Sequence, residues 1–586
     1  MAALAALVLA GCAATDAGDE AAAPVLTAQT VEIEPAAPAD PGPDGVAPLV
    51  APAPGGVLRA ALAGDIDCWN GLSAAPAAWT VFAFAARGLY GYAPTATGAA
   101  ADRVVPALAD DLPLVSEDGL AWRVRLRDGL RFPDGSAVDA GDVIATFERM
   151  LDPAAQCASG GPPASGAYAA LAGYPDWAAA RAAGDDAGPL PGVSAVDRLT
   201  VEFALAEPDP SFAHALALPW AFIRPADAPA AGPDDGPPPF VGPYRVTLVE
   251  RGRRVVLERE PGWAANVLAG APAAPGADAL DGMAVTIGVP PARQLAALEA
   301  GSLDLSLDPG LPHGADVGRI ARAAAYAGRV HSTPAAAVLH LALRADQPPF
   351  DRVEARRAVN LAVDRAALAR IAGGPLAGAP WAQLVPPGLA GDQPPDLYAH
   401  DPARARALVG ATGAVGEAVV LAHGAGPAGQ ALARQLRRDL ARIGLDVRLR
   451  ALPAAAYAGF LREPGAPWHL ALVDATAYAP DAAAWYGPLL GCGAPANLGR
   501  WCDEAFDERV REAAALPAGA ERDAQLAALS TVAMEEQAPW APLLAPRRFA
   551  LVSGRLLNYR WAPVPGPLLG LAGVEGPASA DAPEPG

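Results

Sequence analysis

The 586 residues contain no lysine, and all 43 basic side chains are arginine. No residue can supply a Schiff-base amine, a P-loop lysine or a Ser-x-x-Lys base. Basic charge is scarce as well, since 64 acidic residues bring the formal net charge to −21. A surface of that sign repels phosphate backbones and excludes nucleic acid as a partner. The seven histidines, His214, His313, His331, His340, His400, His423 and His469, show neither His-x-His nor His-Glu-x-x-His spacing. The zinc-hydrolase pattern is therefore missing, and no Gly-x-Ser-x-Gly elbow offers a serine nucleophile. No catalytic residue, metal or other cofactor is expected. Apolar runs are short too. None reaches about 18 residues, so no membrane-spanning helix is expected.

What is present begins at the N-terminus. Ala2 to Gly11 is apolar and has the length of a secretory core, about 7–15 residues, where a spanning helix needs about 20. It ends Leu9-Ala10-Gly11-Cys12, which resembles the lipobox of bacterial lipoproteins. The small residues there admit a peptidase, and the cysteine thiol carries the lipid. Residues 1–12 are thus expected to be a lipoprotein signal peptide and lipobox, with Cys12 as the lipid attachment site. This places the protein outside the cytoplasm on the outer face of the cell membrane. Residues 13–54 carry Asp16, Asp19, Glu20, Glu32, Glu34, Asp40 and Asp44, no basic residue, and many Ala and Pro. Such a stretch buries too little apolar surface to offset its ordering entropy and reads as an acidic, extended linker. The tail 574–586 reads the same way.

Leu120 to Pro153, "LAWRVRLRDGLRFPDGSAVDAGDVIATFERMLDP", is the most informative stretch. Trp122, Val124 and Leu126 alternate with Arg123, Arg125 and Arg127, the period of a half-buried strand. Asp128-Gly129 is a hairpin signal, with Leu130 and Phe132 expected on the returning strand. Asp139 can cap a helix, and Asp142 suits the positive end of its dipole. Val143, Ile144, Phe147, Met150 and Leu151 then form one apolar face.

This segment resembles the signature of the family 5 extracytoplasmic solute-binding proteins, the dipeptide, oligopeptide and nickel-binding lipoproteins of ABC importers. Ser116, Asp118-Gly119, Leu126-Arg127, Phe132, Asp134-Gly135, Ala140, Asp142-Val143 and Arg149 carry the likeness. It continues in "VGPYRV" at Val241, "LEAGSLDL" at Leu298, "PPFDRVEARRAVNLAVDRAALARIAGG" at Pro348, "DPARARALV" at Asp401 and "ERDAQLAALSTVAMEEQAPWAPLL" at Glu521. The resemblance implies an α/β, two-lobed periplasmic-binding-protein-like fold, type II and class C-like, with a hinge and an interlobe ligand cleft. Lobe 1 is expected at 55–283 with a return segment at 539–573, and lobe 2 at 284–538. It also implies a monomer that captures a small solute, a peptide by preference, and delivers it to ABC permease subunits with their ATPases. A secreted oxidoreductase or hydrolase on a similar scaffold is the alternative.

One motif argues for that alternative. "EAVVLAHGAGPAGQALARQLRRDLARIGLDVRLRALP" reads strand, Gly424-x-Gly426-x-x-Gly429, helix, strand, like a dinucleotide-binding unit. The acid that should close the second strand is missing, because Asp446 opens that strand and Leu452-Pro453 ends it. The unit is expected to be scaffold.

Four cysteines follow Cys12, an even number that suits disulfides in an exported protein. Cys492 and Cys502 flank a Gly/Pro/Asn loop and are expected to pair, and Cys68 and Cys157 are expected to form a second bridge. In peptide-binding relatives an aspartate after a second-lobe strand holds the ligand's α-ammonium. Here Ala477 stands in that place, with Asp474 and Asp481 nearby. Trp79, Trp381, Tyr478 and Trp485 fall on segments that resemble pocket-lining ones, and with Asp481 they are the expected ligand-binding residues.

Overall fold

The computed structural model describes residues 50–575, apart from 51, 67–68, 70–75, 93–103, 154–164, 219, 229–236, 264–278, 309–313, 388, 390–394, 480, 495, 517–519 and 563–565. Cys12, Cys68, Cys157 and almost all of the expected linker and tail lie outside the described residues.

Two large sheets organise the chain. The first has five strands in the order Leu305–Ser306, Val57–Ala61, Gly282–Thr286, Arg254–Arg259 and Tyr244–Glu250. Val57–Ala61 is parallel to both of its neighbours, and the remaining pairings are antiparallel. Gly242, in the Gly-Pro-Tyr motif just before Tyr244, allows a close approach. A Cβ there would stand 1.9 Å from the Ala85 carbonyl oxygen, so any larger residue would displace the helix Pro76–Ala85.

The second sheet runs Val330–Pro334, Trp540–Leu551, Ala337–Leu343, Leu470–Thr476, Ala418–Gly424 and Asp446–Leu452, with Gly378–Pro380 also paired to Trp540–Leu551. Helices Val353–Ala362, Arg365–Ala372 and Pro427–Arg442 pack their apolar faces onto it around Leu341, Leu436, Leu440 and Leu470. The long strand Trp540–Leu551 stays in this sheet. Only after it does the chain return to the first, where Val552, Leu556, Tyr559 and Leu569 join the core around Leu58 and Phe82. The expected return at 539 therefore precedes a strand of the second sheet, and the expected 283/284 boundary falls within Gly282–Thr286. Leu305–Ser306, beyond that boundary, also belongs to the first sheet. Ala61, Leu298, Phe549 and Leu551 share one small core where the two sheets adjoin.

The edges of the expected linker and tail are held. Val50 N–H donates to Asn558 Oδ1 at 2.9 Å, and Asn558 Nδ2 donates back to the Val50 carbonyl at 2.7 Å. Val574 is buried and pairs with Leu556.

A smaller antiparallel sheet, Leu114–Val115, Ala121–Arg125, Thr200–Ala204 and Val193–Ala195, carries the signature segment. Trp122 and Val124 point inward as their alternation requires. Their neighbours are Phe203 and Val201, though, and no returning strand forms at Leu130–Phe132. Pro133 follows Phe132 immediately and cuts that strand short. Thr200–Ala204 has the matching period and the length. The helix Ala140–Leu151 begins as expected: Asp139 accepts the Gly141 N–H at 2.8 Å, and Asp142 accepts the Asp139 N–H at 2.9 Å. The Cys492–Cys502 disulfide is present, with Cα atoms 4.6 Å apart. By loop entropy a link of this span contributes about 3 kcal/mol.

His340 lies flat on Trp540, ring centroids 3.9 Å apart, and is buried. Burial pushes its imidazole down to about 4. The unfolded chain, with histidine near 6.5, then binds more protons than the folded one between those values, so stability falls as pH drops through that window. This residue is expected to remove about 3 kcal/mol between pH 7 and pH 4. Thermal unfolding at both values, with His340→Phe for comparison, checks this. An equally large acid loss in the variant would refute it.

Candidate functional site

Strands Ala418–Gly424 and Leu470–Thr476 are parallel and end on the same edge of the second sheet. In open α/β sheets, ligands sit beyond the carboxyl ends of the strands. After Thr476 the chain runs through Tyr478 and Asp481 into the helix Ala483–Leu490. Tyr478 reaches across to the first lobe. It packs against the apolar cluster that contains Leu89, Phe212 and Trp220, beside the Ser211 hydroxyl and the Asp209 carboxylate. Burial raises its phenol far above the ordinary range, and the charge of Asp209 adds to the effect. Gly166 touches Pro488 at the same crossing, where a Cβ would stand 3.2 Å from the proline ring.

The first-lobe wall is polar at one point and aromatic beside it. Asp209 Oδ1 accepts the Ser211 N–H at 2.9 Å and the Ser211 hydroxyl at 2.6 Å. Burial pushes the Asp209 carboxyl up and the nearby charge of Asp481 pushes it further, against the Ser211 hydrogen bonds and Arg522. The Tyr92 hydroxyl lies 3.1 Å from His214 Nδ1 with the two rings stacked. Trp79 and Trp220 meet at 4.7 Å between centroids.

Asp474 stands near the carboxyl end of the strand Leu470–Thr476. Its side chain is exposed, yet burial raises its carboxyl above the usual range, against the opposing charge of Arg548. The Arg548 guanidinium lies 5.9 Å from the Trp561 ring centre.

Of the expected ligand residues, the structure brings Trp79 and Tyr478 together against the cluster that contains Leu89 and Trp220. It does not bring Trp381 or Trp485 there. Trp381 Nε1 donates to the Val385 carbonyl at 2.9 Å within the core. Trp485 is 1 % exposed and lies edge-on to Trp540. Its helix turns Trp485 and Tyr486 inward, toward Phe506 and Leu526. Asp481 is committed to structure: Oδ1 caps the helix through the Ala483 N–H, and Oδ2 pairs with buried Arg522 at 2.7 Å. Asp209, Ser211, Tyr92, His214, Trp220 and Arg548 were not found by sequence reasoning. Asp209, Ser211, His214 and Trp220 share the stretch 209–220 while Tyr92 and Arg548 lie far from it, and no motif spacing marks the set.

The dinucleotide-like unit folds as strand, helix and parallel strand. Gly429 is required by packing, since a Cβ there would stand 2.6 Å from the Gly424 carbonyl oxygen.

The sequence model of the bacterial extracellular solute-binding proteins, family 5 (middle), matches residues 103–497. The chain belongs to this family. Among curated relatives, the di/tripeptide-binding protein 4 of Pseudomonas aeruginosa (strain UCBPP-PA14) is 30% identical over 479 residues, covering 78% of this chain and 84% of that protein. Di/tripeptide-binding protein 2 of the same strain is 27% identical over 484 residues, covering 79% and 85%. Among solved structures, the clavulanic acid biosynthesis oligopeptide binding protein 2 superposes with a TM-score of 0.80 at 27% identity, covering 91% of this chain and 98% of that one. This family 5 protein accordingly has the two-lobed, type II fold of its structural relatives.

Proposed function

We propose that this solute-binding protein captures a peptide or peptide-like solute outside the membrane and passes it to the permease of an ABC importer. The observation that carries the reading is the family match, in a chain where Tyr478, after the strand Leu470–Thr476, packs beside Asp209 and Ser211. The relatives named above bind di/tripeptides and oligopeptides by name, which favours capture over the secreted-enzyme alternative. The lobes follow the sheets: the first takes residues 55 to about 308 and those after 551, the second takes the rest. The protein works as a monomer, tethered by lipid on Cys12. Cys12→Ser is expected to release it from membranes in fractionation at high salt, and retention would refute the tether.

Ligand touches both lobes only when they close, so binding shifts the population toward the closed state. Solute at 100 times its dissociation constant is expected to stabilise the fold by about 2.7 kcal/mol and to change tryptophan fluorescence. Thermal shift against a panel of peptides, amino acids, sugars and metal chelates measures this, and mass spectrometry identifies what co-purifies. A panel without any shift would overturn the reading.

A further inference from the structure

Arg224 lies at a seam between two cores. Ile223 belongs to the core of the small sheet, and Phe222 to the core of the five-stranded one. The helix Ala140–Leu151 holds the backbone there. The Arg224 N–H donates to the Thr146 hydroxyl at 3.1 Å, and that hydroxyl donates to the Arg224 carbonyl at 3.4 Å. Three residues further along the same helix, Arg149 donates to the Pro225 carbonyl at 2.9 Å and to the Ala226 carbonyl. Hydrogen bonds to one short stretch of backbone thus bring two arginines together.

Arg224 is only 4 % exposed. Its Nε is buried without a hydrogen-bond partner, and among the described residues no carboxylate comes within the 4.0 Å of an ion pair. Its guanidinium carbon stands 5.7 Å from the Phe222 ring centre, a contact that favours a cation but supplies no counter-charge. The neighbouring acids are spent elsewhere. Asp142 accepts the Asp139 and Ala226 N–H groups at 2.9 and 2.8 Å, and Glu148 accepts the Leu190 N–H at 3.0 Å. Asp227 is exposed. Buried Arg365, by contrast, donates to four carbonyls and an amide oxygen. Burial, with the like charge of Arg149, pushes the Arg224 guanidinium down to about 9, so it still carries its charge at neutral pH. A buried cation without an opposite charge is strongly unfavourable unless an anion joins it.

We propose that Arg224 is the centre of a binding site for a small inorganic anion, a halide or a phosphate-like oxyanion. The guanidinium supplies both the charge and the donors. Arg149 beside it adds positive potential, while its own Nη groups stay on the Pro225 and Ala226 carbonyls. The narrow exposure admits a compact ion and excludes a bulky organic acid. Bound there, the anion joins the helix Ala140–Leu151 to the core around Phe222, so its effect falls on the stability of the fold. The site is independent of the solute-capture reading above.

The test is thermal unfolding of the full chain in sodium gluconate, chloride, bromide and phosphate at one pH and ionic strength. Replacing gluconate by at least one of the compact anions is expected to raise the wild-type midpoint by at least about 1 °C, saturating with concentration. A response to chloride and bromide identifies a halide site, and a response to phosphate alone an oxyanion site. Arg224→Met is expected to abolish the saturable response. In gluconate it should melt no lower than wild type, because the unpaired buried charge is gone. Phosphate also stabilises folded proteins by exclusion from their surface, so the difference between wild type and variant is the measure. Wild-type crystals soaked in bromide and in selenate, anomalous scatterers of the two ion classes, give a second reading that needs no variant. An anomalous peak is expected against the Arg224 guanidinium in at least one of them. Equal salt responses in wild type and Arg224→Met overturn the site, and so does a guanidinium without a peak in either soak.

Discussion

Arg365→Met is expected to cost about 4–5 kcal/mol of stability, beyond the range of most single substitutions. The Arg365 guanidinium is buried and, among the described residues, has no carboxylate partner. It donates from Nε to the Trp381 and Pro542 carbonyls at 3.0 and 2.8 Å, and from Nη1 to the Asn360 and Tyr398 carbonyls at 2.9 and 3.2 Å. Nη2 donates to the Asn360 amide oxygen at 3.0 Å. One side chain thus ties a sheet strand, two loops and a helix end together. Hydrogen bonds to a charged donor are worth about 1.5–3 kcal/mol each, and buried acceptors left unmatched incur their desolvation cost. Methionine fills the volume and saves the cost of burying the charge, the same burial that pushes the guanidinium down to about 10. The net remains a large loss. Arg365→Lys is expected to recover less than half of it, since an ammonium cannot reproduce a planar fork. Urea unfolding of the three proteins decides the matter, and a change under about 1 kcal/mol for methionine would refute the argument.

Arg59→Met is expected to cost about 3 kcal/mol, because it removes the main counter-charge of a buried carboxylate and leaves it only Arg555, whose Nε stands 3.7 Å away. The Asp304 side chain has no exposed surface. It accepts Arg59 Nε at 3.0 Å, Arg59 Nη2 at 2.7 Å and the Arg59 N–H at 2.9 Å, together with the Ser553 hydroxyl at 2.7 Å. Three distant passes of the chain meet at this carboxylate: the first strand, the turn before Leu305, and the segment returning from the second sheet. Burial alone would raise the Asp304 carboxyl, but the Arg59 and Ser553 hydrogen bonds hold it below the usual carboxylate range. In the wild type this stabilisation is complete above the unfolded value of about 3.9 and is lost as pH falls through the lower folded one. Without the Arg59 side chain only the Ser553 hydroxyl, the backbone N–H of residue 59 and the more distant Arg555 favour the carboxylate, so the folded value rises and this stabilisation shrinks. Arg59→Met with Asp304→Asn is expected to recover most of the loss, as a double-mutant cycle on unfolding free energies would show. A double variant no more stable than Arg59→Met alone would exclude a stranded charge as the cause.

Features that close within a few residues were legible in the sequence. Asp139 caps the helix that follows it, accepting the Gly141 N–H two residues on. Cys492 and Cys502 are ten residues apart and bonded. Capping and short loop closure depend on local geometry, and short spacing carries that information. The family resemblance rests on many such local motifs in order, so it too could be read from the chain alone. Sequence alternation likewise put Trp122 and Val124 on one inward face. It could not choose their partner strand, because the hairpin signal at Asp128-Gly129 and the distant Thr200–Ala204 both offered a match, and packing length decided for the latter. The cleft was least legible. Trp79 and Trp485 look alike in sequence, yet one is half-buried against Trp220 and the other is sealed against Trp540. Asp474 and Asp481 are equally acidic, yet Arg522 arrives from a distant helix to occupy only the second. Which side of a side chain meets water, and which charge finds a partner, is set by long-range packing. Only the tertiary structure decides that.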